Sequence, residues 1–515
     1  MNRRGLAALM AAVCLLTMTG CTSRQPSIRE EEPVYTLAPA TVGYAAPDGD
    51  IPPGEERMYP LYLPGKNGLH LLAEHITLPP ARTLETLRML SEALLRFEGN
   101  DQVNAVGGET RLSLYGLDPI ELSGGICTVN LASSALELDY REFYLMSLAL
   151  ATTLCEVDGV TRVNVLVADQ SVGLDVTGGL AMGSLTAHPG ENLPVLWEQM
   201  EARRTPLGND MSQTPLRSEV TLYYPLARGQ GVICEDQSIT FEGQTPQQMA
   251  SRILETISGG SQYISGVAEI PSLASLLLHE PVASELDDGG RMITLSLRED
   301  TMIRLREKNI DPVCMMAAIV LSLTTFIPGT SAVCVRLGES PITQLNSEKY
   351  GSITTLGGLM RRGMFTQFIM ERTTVYFERD GKLVPCEKNV DMFEADSPRT
   401  QLKALLEGPG EREAAEGMSR TLPDTVTEED ILGIASEGDT LLVNLSEHFL
   451  EEIRRFGPEK ERLLCYSVVD TLCQHTGINR MCFFFEGAQV EEIAGEIYWA
   501  GIFDWNAGLI EPSFG

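Results

Sequence analysis

The chain has 515 residues, 43% of them hydrophobic, and a formal charge of −32. That length implies several domains of roughly 100 to 200 residues each. So acidic a balance excludes binding nucleic acid or anionic lipid through the general field of the protein.

At the start of the chain, Arg3 and Arg4 precede an apolar run over 6–18 and then Thr19-Gly20-Cys21. This is the order of a bacterial lipoprotein signal peptide over 1–20, with Cys21 as the lipidated first residue of the mature chain. An ordinary secretory signal or a short membrane anchor is the alternative. Residues 21–56 are rich in Pro, Glu and Gly with little apolar periodicity, and are expected to form a flexible tether.

From there one succession of elements recurs three times, at a spacing of roughly 155 residues. It opens on the strands Leu61-Tyr62-Leu63, Leu222-Tyr223-Tyr224 and Val375-Tyr376-Phe377. Second strands over 69–76, 232–239 and 383–390 follow, with Glu74, Glu235 and Glu387 aligned within them. A first helix comes next. Thr245-Pro246 and Ser397-Pro398 put a hydroxyl at its N-cap and proline at its first position, and Gln248 can close a capping box. Leu84, Leu87, Leu90 and Leu94 recur at helical spacing, so one face is buried.

Two strands around a tight turn come next, clearest at 431–435 and 441–445 about Gly438-Asp439. Val129-Asn130-Leu131 and Val443-Asn444-Leu445 stand 314 residues apart, the offset that also separates Tyr62 from Tyr376. The middle copy carries Ile293-Thr294-Leu295-Ser296 in that place. A second helix, over 144–155, 313–327 and 463–473, leads through a glycine turn at Gly159, Gly329 and Gly477 into a last strand. The 313–327 stretch falls short of the 18 to 20 residues or so that span a bilayer, so it reads as a buried helix opened by Asp311 and Pro312.

The order ββ-α-ββ-α-β predicts an α+β fold: three tandem two-layer αβ modules, each with two helices on one face of a mostly antiparallel sheet. The modules occupy 57–172, 218–340 and 373–491, joined by linkers 173–217 and 341–372 and followed by an aromatic tail, 492–515. The linkers resemble each other around Thr177-Gly178-Gly179-Leu180 and Leu356-Gly357-Gly358-Leu359, and are expected to pack on the modules. So is the tail, with Tyr498, Trp499, Phe503 and Trp505.

The third copy resembles the GerMN domain of GerM-type sporulation and spore-germination proteins. The resemblance rests on the strand 374–377, Ser397-Pro398, Leu405-Leu406-Glu407-Gly408-Pro409, Leu422-Pro423, Val443-Asn444-Leu445-Ser446 and Phe449. Copies one and two depart from that pattern at 94–99 and 253–260, where the Gly-Pro is missing, and are identified through their likeness to copy three.

Chemistry-bearing signatures are few. Removing Cys14 with the signal and assigning Cys21 to lipid leaves nine cysteines. Cys155 matches Cys473, Cys234 matches Cys386 and Cys334 matches Cys482, a placement suited to buried structural thiols more than to disulfides. His70 and His75 are five apart on a strand and make a poor metal pair, and His448 and His475 lack a partner at ligand spacing. No nucleophile elbow, P-loop, dinucleotide fingerprint or zinc-protease motif occurs. Glu428-Glu429-Asp430 and Asp287-Asp288 read as solvated loops, and Glu74, Glu235 and Glu387 as a shared strand-end contact.

No catalytic residue, metal or cofactor is therefore assigned, and binding residues are left open. The resemblance implies a non-enzymatic envelope scaffold in sporulation or germination, anchored outside the cell membrane through Cys21. Its implied partners are envelope or sporulation proteins or further copies of itself. The alternative is an extracytoplasmic peptidoglycan-related enzyme working in an acidic cleft between modules, or a ligand-binding or sensor-accessory lipoprotein.

Overall fold

The structure is a computed structural model and describes residues 43–50, 56–175, 179–204, 208–473, 478–495 and 497–511. The signal 1–20, Cys21, most of the tether, Thr177, Gly178, His475 and Gly477 lie outside the described residues.

One pairing pattern occurs three times. In the first succession, hairpin β1 (Arg57–Pro64) and β2 (Leu71–Leu78) precedes helix α1 (Thr83–Arg96). Hairpin β3 (Ile120–Ser123) and β4 (Ile126–Leu131) precedes α2 (Tyr140–Leu154), which returns the chain to β5 (Arg162–Val167), parallel to β4. After α3 (Leu193–Glu201), the second succession repeats this with β6 (Leu216–Pro225), β7 (Val232–Phe241), α4 (Pro246–Ser258), β8 (Val282–Glu285) and β9 (Arg291–Leu297). A short helix α5 (Thr301–Glu307) enters α6 (Pro312–Phe326), which leads to β10 (Thr330–Leu337), parallel to β9.

Small strands β11 (Ser340–Pro341), β12 (Gln344–Ser347), β13 (Gly351–Thr354) and β14 (Leu359–Met360) then lead to the third succession. It comprises β15 (Met370–Arg379), β16 (Lys382–Asp391), α7 (Pro398–Glu407), β17 (Ile431–Glu437), β18 (Thr440–Leu445), α8 (Glu447–Ile453), α9 (Pro458–Leu472) and β19 (Arg480–Phe485), parallel to β18. The chain closes with β20 (Phe503–Asp504).

The class is the expected α+β. The sheets differ in detail from expectation: each succession splits its strands into a hairpin and a separate mixed sheet, of three, five and four strands in turn, instead of one mostly antiparallel sheet. A parallel last strand follows from the helical crossover before it, which delivers the chain to the same end of the sheet. In the first two successions both helices lie against the hairpin and the mixed sheet together, and in the third both lie against the hairpin.

A single hydroxyl contact fixes that arrangement each time. The Tyr62 amide donates to Thr153 Oγ1 at 2.9 Å, the Tyr223 amide to Ser322 Oγ at 2.9 Å, and the Tyr376 amide to Thr471 Oγ1 at 3.2 Å. A fully buried hydroxyl on the second helix thus satisfies a strand N–H that would otherwise be an orphan. These contacts make Ser322 the partner of Thr153, one residue off the sequence alignment that paired Cys155 with Thr325.

The asparagine of Val-Asn-Leu has an equally local cause. Asn130 Oδ1 accepts the Asp169 amide at 3.0 Å and Asn444 Oδ1 accepts the Gly487 amide at 3.0 Å. Each pins the loop after the closing strand, where the backbone turns left-handed at Ala168 and Asp169, and at Glu486 and Gly487.

Helix starts follow the expected chemistry in part. Thr245 and Gln248 close a capping box on α4, and Asp311 accepts the Val313 amide behind Pro312 on α6. Ser397 occupies the N-cap of α7 without a side-chain bond. All 15 residues of α6 are buried, the pattern of a helix surrounded by protein. Among the described residues no single helix is long and apolar enough to cross a membrane; α5 with α6 would pass only as a pair bent by 109°.

Segments between and after the successions are structural. Leu185 bridges Val163, Met360 pairs with Val333, and Phe503 pairs with Met481, so each closing strand gains an antiparallel neighbour in its first half. The first two successions and the segments after them share one apolar core, including Leu180, Leu196, Met200, Met360 and Phe365. A second core belongs to the third succession and takes in Trp499, Phe503 and Leu509 of the tail.

Residues 43–50 correct the expectation of a tether running free over 21–56. Tyr44 and Ala46 lie on Leu442, Cys482 and Phe484, and Asp50 pairs with Arg399.

Candidate functional site

The first two successions meet at a buried guanidinium that stands just ahead of the third. Arg362, on the short turn between β14 and β15, is 1% exposed. Its Nε donates to Glu121 Oε1 at 3.0 Å, and its Nη2 reaches Glu121 Oε2 on β3 of the first succession. Nη2 also donates to Tyr223 Oη at 3.0 Å on β6, and Nη1 to Thr325 Oγ1 at 2.6 Å on α6. Burial works against this charge, yet the Glu121 carboxylate and the Tyr223 hydroxyl outweigh it and hold the Arg362 pKa above its ordinary value. Burial likewise pushes the Tyr223 phenol up.

Beside it, Ser123 Oγ donates to Met370 O at 2.7 Å and accepts the Cys234 amide at 3.2 Å, so one hydroxyl touches all three successions. Gly124 is required here by close approach: a Cβ on it would collide with the carbonyl oxygen of Cys234.

Between the first and third successions lies a polar cleft of about 400 Å³, lined by Thr83, Asp158, Glu371, Arg372, Glu387 and Asp396 among others. Of the places described, this answers best to the acidic cleft that an enzyme reading requires. Its carboxylates are each held by another part of the chain, Glu371 through Oε1 alone. Glu371 Oε1 accepts the Gly124 amide at 3.1 Å and the Arg372 amide at 2.7 Å. Burial raises the Glu371 pKa, with the Arg372, Gly125 and Gly124 amides and the Arg372 charge opposing. Asp396 accepts the Thr83 amide at 2.5 Å and so caps α1 from another succession, with the Arg82–Glu394 ion pair alongside at 2.9 Å. Glu387 pairs with Arg372 at 3.0 Å and Asp158 with Arg57 at 3.7 Å.

A second cleft, about 860 Å³, opens beside the start of α6 between Arg228, Arg306, Asp311, Ser347 and Lys349. There Asp311 caps α6 and accepts Ser347 Oγ at 2.6 Å, while Arg228 pairs with Glu411 at 2.6 Å.

One serine–histidine–aspartate set does assemble, unseen in the sequence. Asp430 Oδ1 accepts Ser446 Oγ at 2.5 Å and lies 3.0 Å from His448 Nδ1. The wiring is that of a cap. Ser446 gives its proton to Asp430, not to the imidazole, and its oxygen accepts the Phe449 amide at 3.1 Å at the start of α8. A nucleophile needs its proton directed to the base. Burial would raise the Asp430 pKa, but the Ser446, Thr427 and His448 hydrogen bonds prevail and hold it down. Asp430 is thus a buried strut, correcting its reading as part of a solvated loop.

The aligned glutamates separate. Pairing sets Glu74 opposite Leu61 and Glu235 opposite Leu222, whereas Glu387 faces Thr374, one residue out of register. Glu74 accepts Asn100 Nδ2 at 2.8 Å, and the buried Glu235 accepts Ser261 Oγ at 2.6 Å and the Gln262 amide at 2.8 Å. Both therefore hold the loop after the first helix. The same slip separates Cys386 from Cys234.

Among the described residues nine cysteines are free, eight of them buried. Burial raises the thiols of Cys155, Cys386 and Cys482 to about 11 and that of Cys314 to about 12. Among the described residues no three His, Cys, Asp or Glu side chains are grouped to hold a metal.

Fold and junction together define a class: an α+β protein of recurring hairpin–helix–hairpin–helix–strand units whose polar groups hold those units to one another. Residues 374–491 match the family described as Germane, sporulation and spore germination, so the third succession is a GerMN-type domain. Similar solved structures include the tandem GerMN domains of the sporulation protein GerM from Bacillus subtilis, 16% identical with a TM-score of 0.21 over 60% of this chain and 99% of that one. The first GerMN domain of the same protein is 18% identical, TM-score 0.21, over 26% and 97%. A putative lipoprotein from Clostridium perfringens is 21% identical, TM-score 0.19, over 26% and 87%. No curated protein matches the chain.

Proposed function

We propose that the chain is a non-enzymatic scaffold of the cell envelope in sporulation or spore germination, lipid-anchored through Cys21 and working by protein contact. The observation that carries this is the use of polar groups at the junction and cleft. Glu121, Glu371, Glu387 and Asp396 each bond to another part of the chain, and Asp430 serves a helix cap, so among the described residues these carboxylates act as struts between elements. The family description of residues 374–491 supplies the setting. Envelope or sporulation proteins, or further copies of this chain, are the partners that setting suggests.

Photo-crosslinkers at the exposed Leu117 and Tyr263, used in sporulating cells of the source organism, test the reading. Capture of discrete envelope proteins, lost when Cys21→Ala releases the chain from the membrane, is the expected result. Release of muropeptides by the purified chain, abolished by Glu387→Gln, would overturn it in favour of an enzyme.

A further inference from the structure

The third succession's sheet has an outer face, turned away from its helices, that carries Leu442, Cys482 and Phe484. Segment 43–50 lies on it. Pro47 is buried there, its carbonyl accepts Asn444 Nδ2 at 3.2 Å, and Tyr44 and Ala46 cover the three apolar side chains. Beyond them Asp50 takes Arg399 Nε at 2.5 Å, Arg399 Nη2 at 2.9 Å and the Ile434 amide at 3.0 Å. Gly433 makes room for the strap: a Cβ there would stand 2.6 Å from Pro47 O and 2.8 Å from Gly49 N. Its φ is not among the positive ones, so the strap and not the backbone conformation is what calls for glycine.

The same face is an interface in the first succession. Thr128 and Asn164 pair as Leu442 and Cys482 do, and Leu166 stands where Phe484 stands. There the cover is hairpin β6–β7: Asn164 Nδ2 donates to Thr221 Oγ1 at 2.8 Å, and Arg162 meets Asp236 at 3.3 Å. An integral hairpin seals the one face, while eight residues and one half-buried ion pair cover the other.

We infer that the outer face of the third sheet is a docking groove for an extended segment of a partner protein. That segment presents an aromatic side chain to Leu442, Cys482 and Phe484 and, six residues further on, a carboxylate to Arg399 and the Ile434 amide. Residues 43–50 are its resident competitor. The partner's chemistry is read from the strap: Arg399 selects an acidic ligand despite the acidity of the whole chain, and the spacing is that of Tyr44 and Asp50. The inference names the partner class within the contact reading above, but its test needs neither membrane nor sporulating cells, so the two fail separately.

The probe is a fluorescent peptide with the sequence of residues 43–50, titrated in solution against the full chain. Tyr44→Ser with Asp50→Ser should vacate the groove and bind the peptide at least ten-fold more tightly than the unaltered chain does. Adding Arg399→Ser, or Gly433→Val, should remove that gain. Asp50→Asn alone, which leaves every apolar contact in place, should give an intermediate gain and guards against misfolding of the double variant. Equal binding by the unaltered and vacated chains would overturn the inference, as would indifference to Arg399→Ser and Gly433→Val. So would a dimer of the unaltered chain in sedimentation that dissociates on vacating the strap, since the occupant would then be a second copy.

Discussion

Arg362 shows how far one side chain can reach when burial leaves it no solvent. Its guanidinium joins Glu121, Tyr223 and Thr325 from two successions while its backbone leads into the third. Removing one member of a buried pair leaves the other charge without compensation, which costs about 3 to 5 kcal/mol. Arg362→Met should therefore destabilise the chain by that much in urea unfolding, and adding Glu121→Leu should recover most of the loss. A double variant as unstable as the single one would show that the pair matters for packing alone. Asp470 is a second residue whose burial has a measurable sign. Its pKa is raised to about 7 by burial, with only the Asn506 amide bonded to it at 2.8 Å, against an ordinary value of 3.8. The folded state therefore holds a proton that the unfolded chain releases, so stability falls as pH rises from about 4 to about 7. Its neighbours Tyr376, Cys465 and Cys473 are themselves shifted upward and stay neutral through that window. Asp470→Asn should flatten this part of the pH–stability curve and add roughly 2 to 4 kcal/mol at pH 8 while adding nothing at pH 4.

At the scale of elements, the hydroxyl bonds from Thr153, Ser322 and Thr471 to the opening strands make a claim of equivalence that can be measured. Thr153→Val, Ser322→Ala and Thr471→Val each leave a buried strand N–H unpaired, so each should cost about 1 to 3 kcal/mol in thermal unfolding. Widely unequal losses would mean that the three contacts are not one device repeated. Elements of this kind were legible in the sequence where local chemistry dictates them. Thr245-Pro246, Asp311-Pro312 and the Gly438-Asp439 turn behave as their residues require. Register was less legible. Asp380-Gly381 forms a two-residue turn with positive φ at both positions, and the tightness of that hairpin places Pro385, not Cys386, opposite Tyr376. An alignment made on Cys-Glu pairs could not register a one-residue slip whose cause is turn length.

The whole molecule was the hardest scale to read, because its contacts join residues that no local pattern connects. Glu121 and Arg362 are 241 positions apart, and Asp50 and Arg399 are 349 apart. Nothing in the composition of residues 43–50 distinguishes a docked strap from a loose tether; its cause lies in Gly433 and Arg399, on the surface that receives it. The shared core of the first two successions likewise depends on intervening residues such as Leu180 and Met360, which in sequence read as linker. The candidate site was legible mainly as the want of catalytic motifs. The Asp430, Ser446 and His448 cluster appears only once β18 and α8 bring its members together.

These contacts make the chain one body built on a common junction, and hydrogen–deuterium exchange tests that most directly. Replacing Arg362 with methionine should speed amide exchange together in β3, β6 and β15, one strand from each succession, with α3 and β20 unchanged. Faster exchange confined to the residues flanking 362 would contradict the account, because the successions would then be held together by something other than the junction.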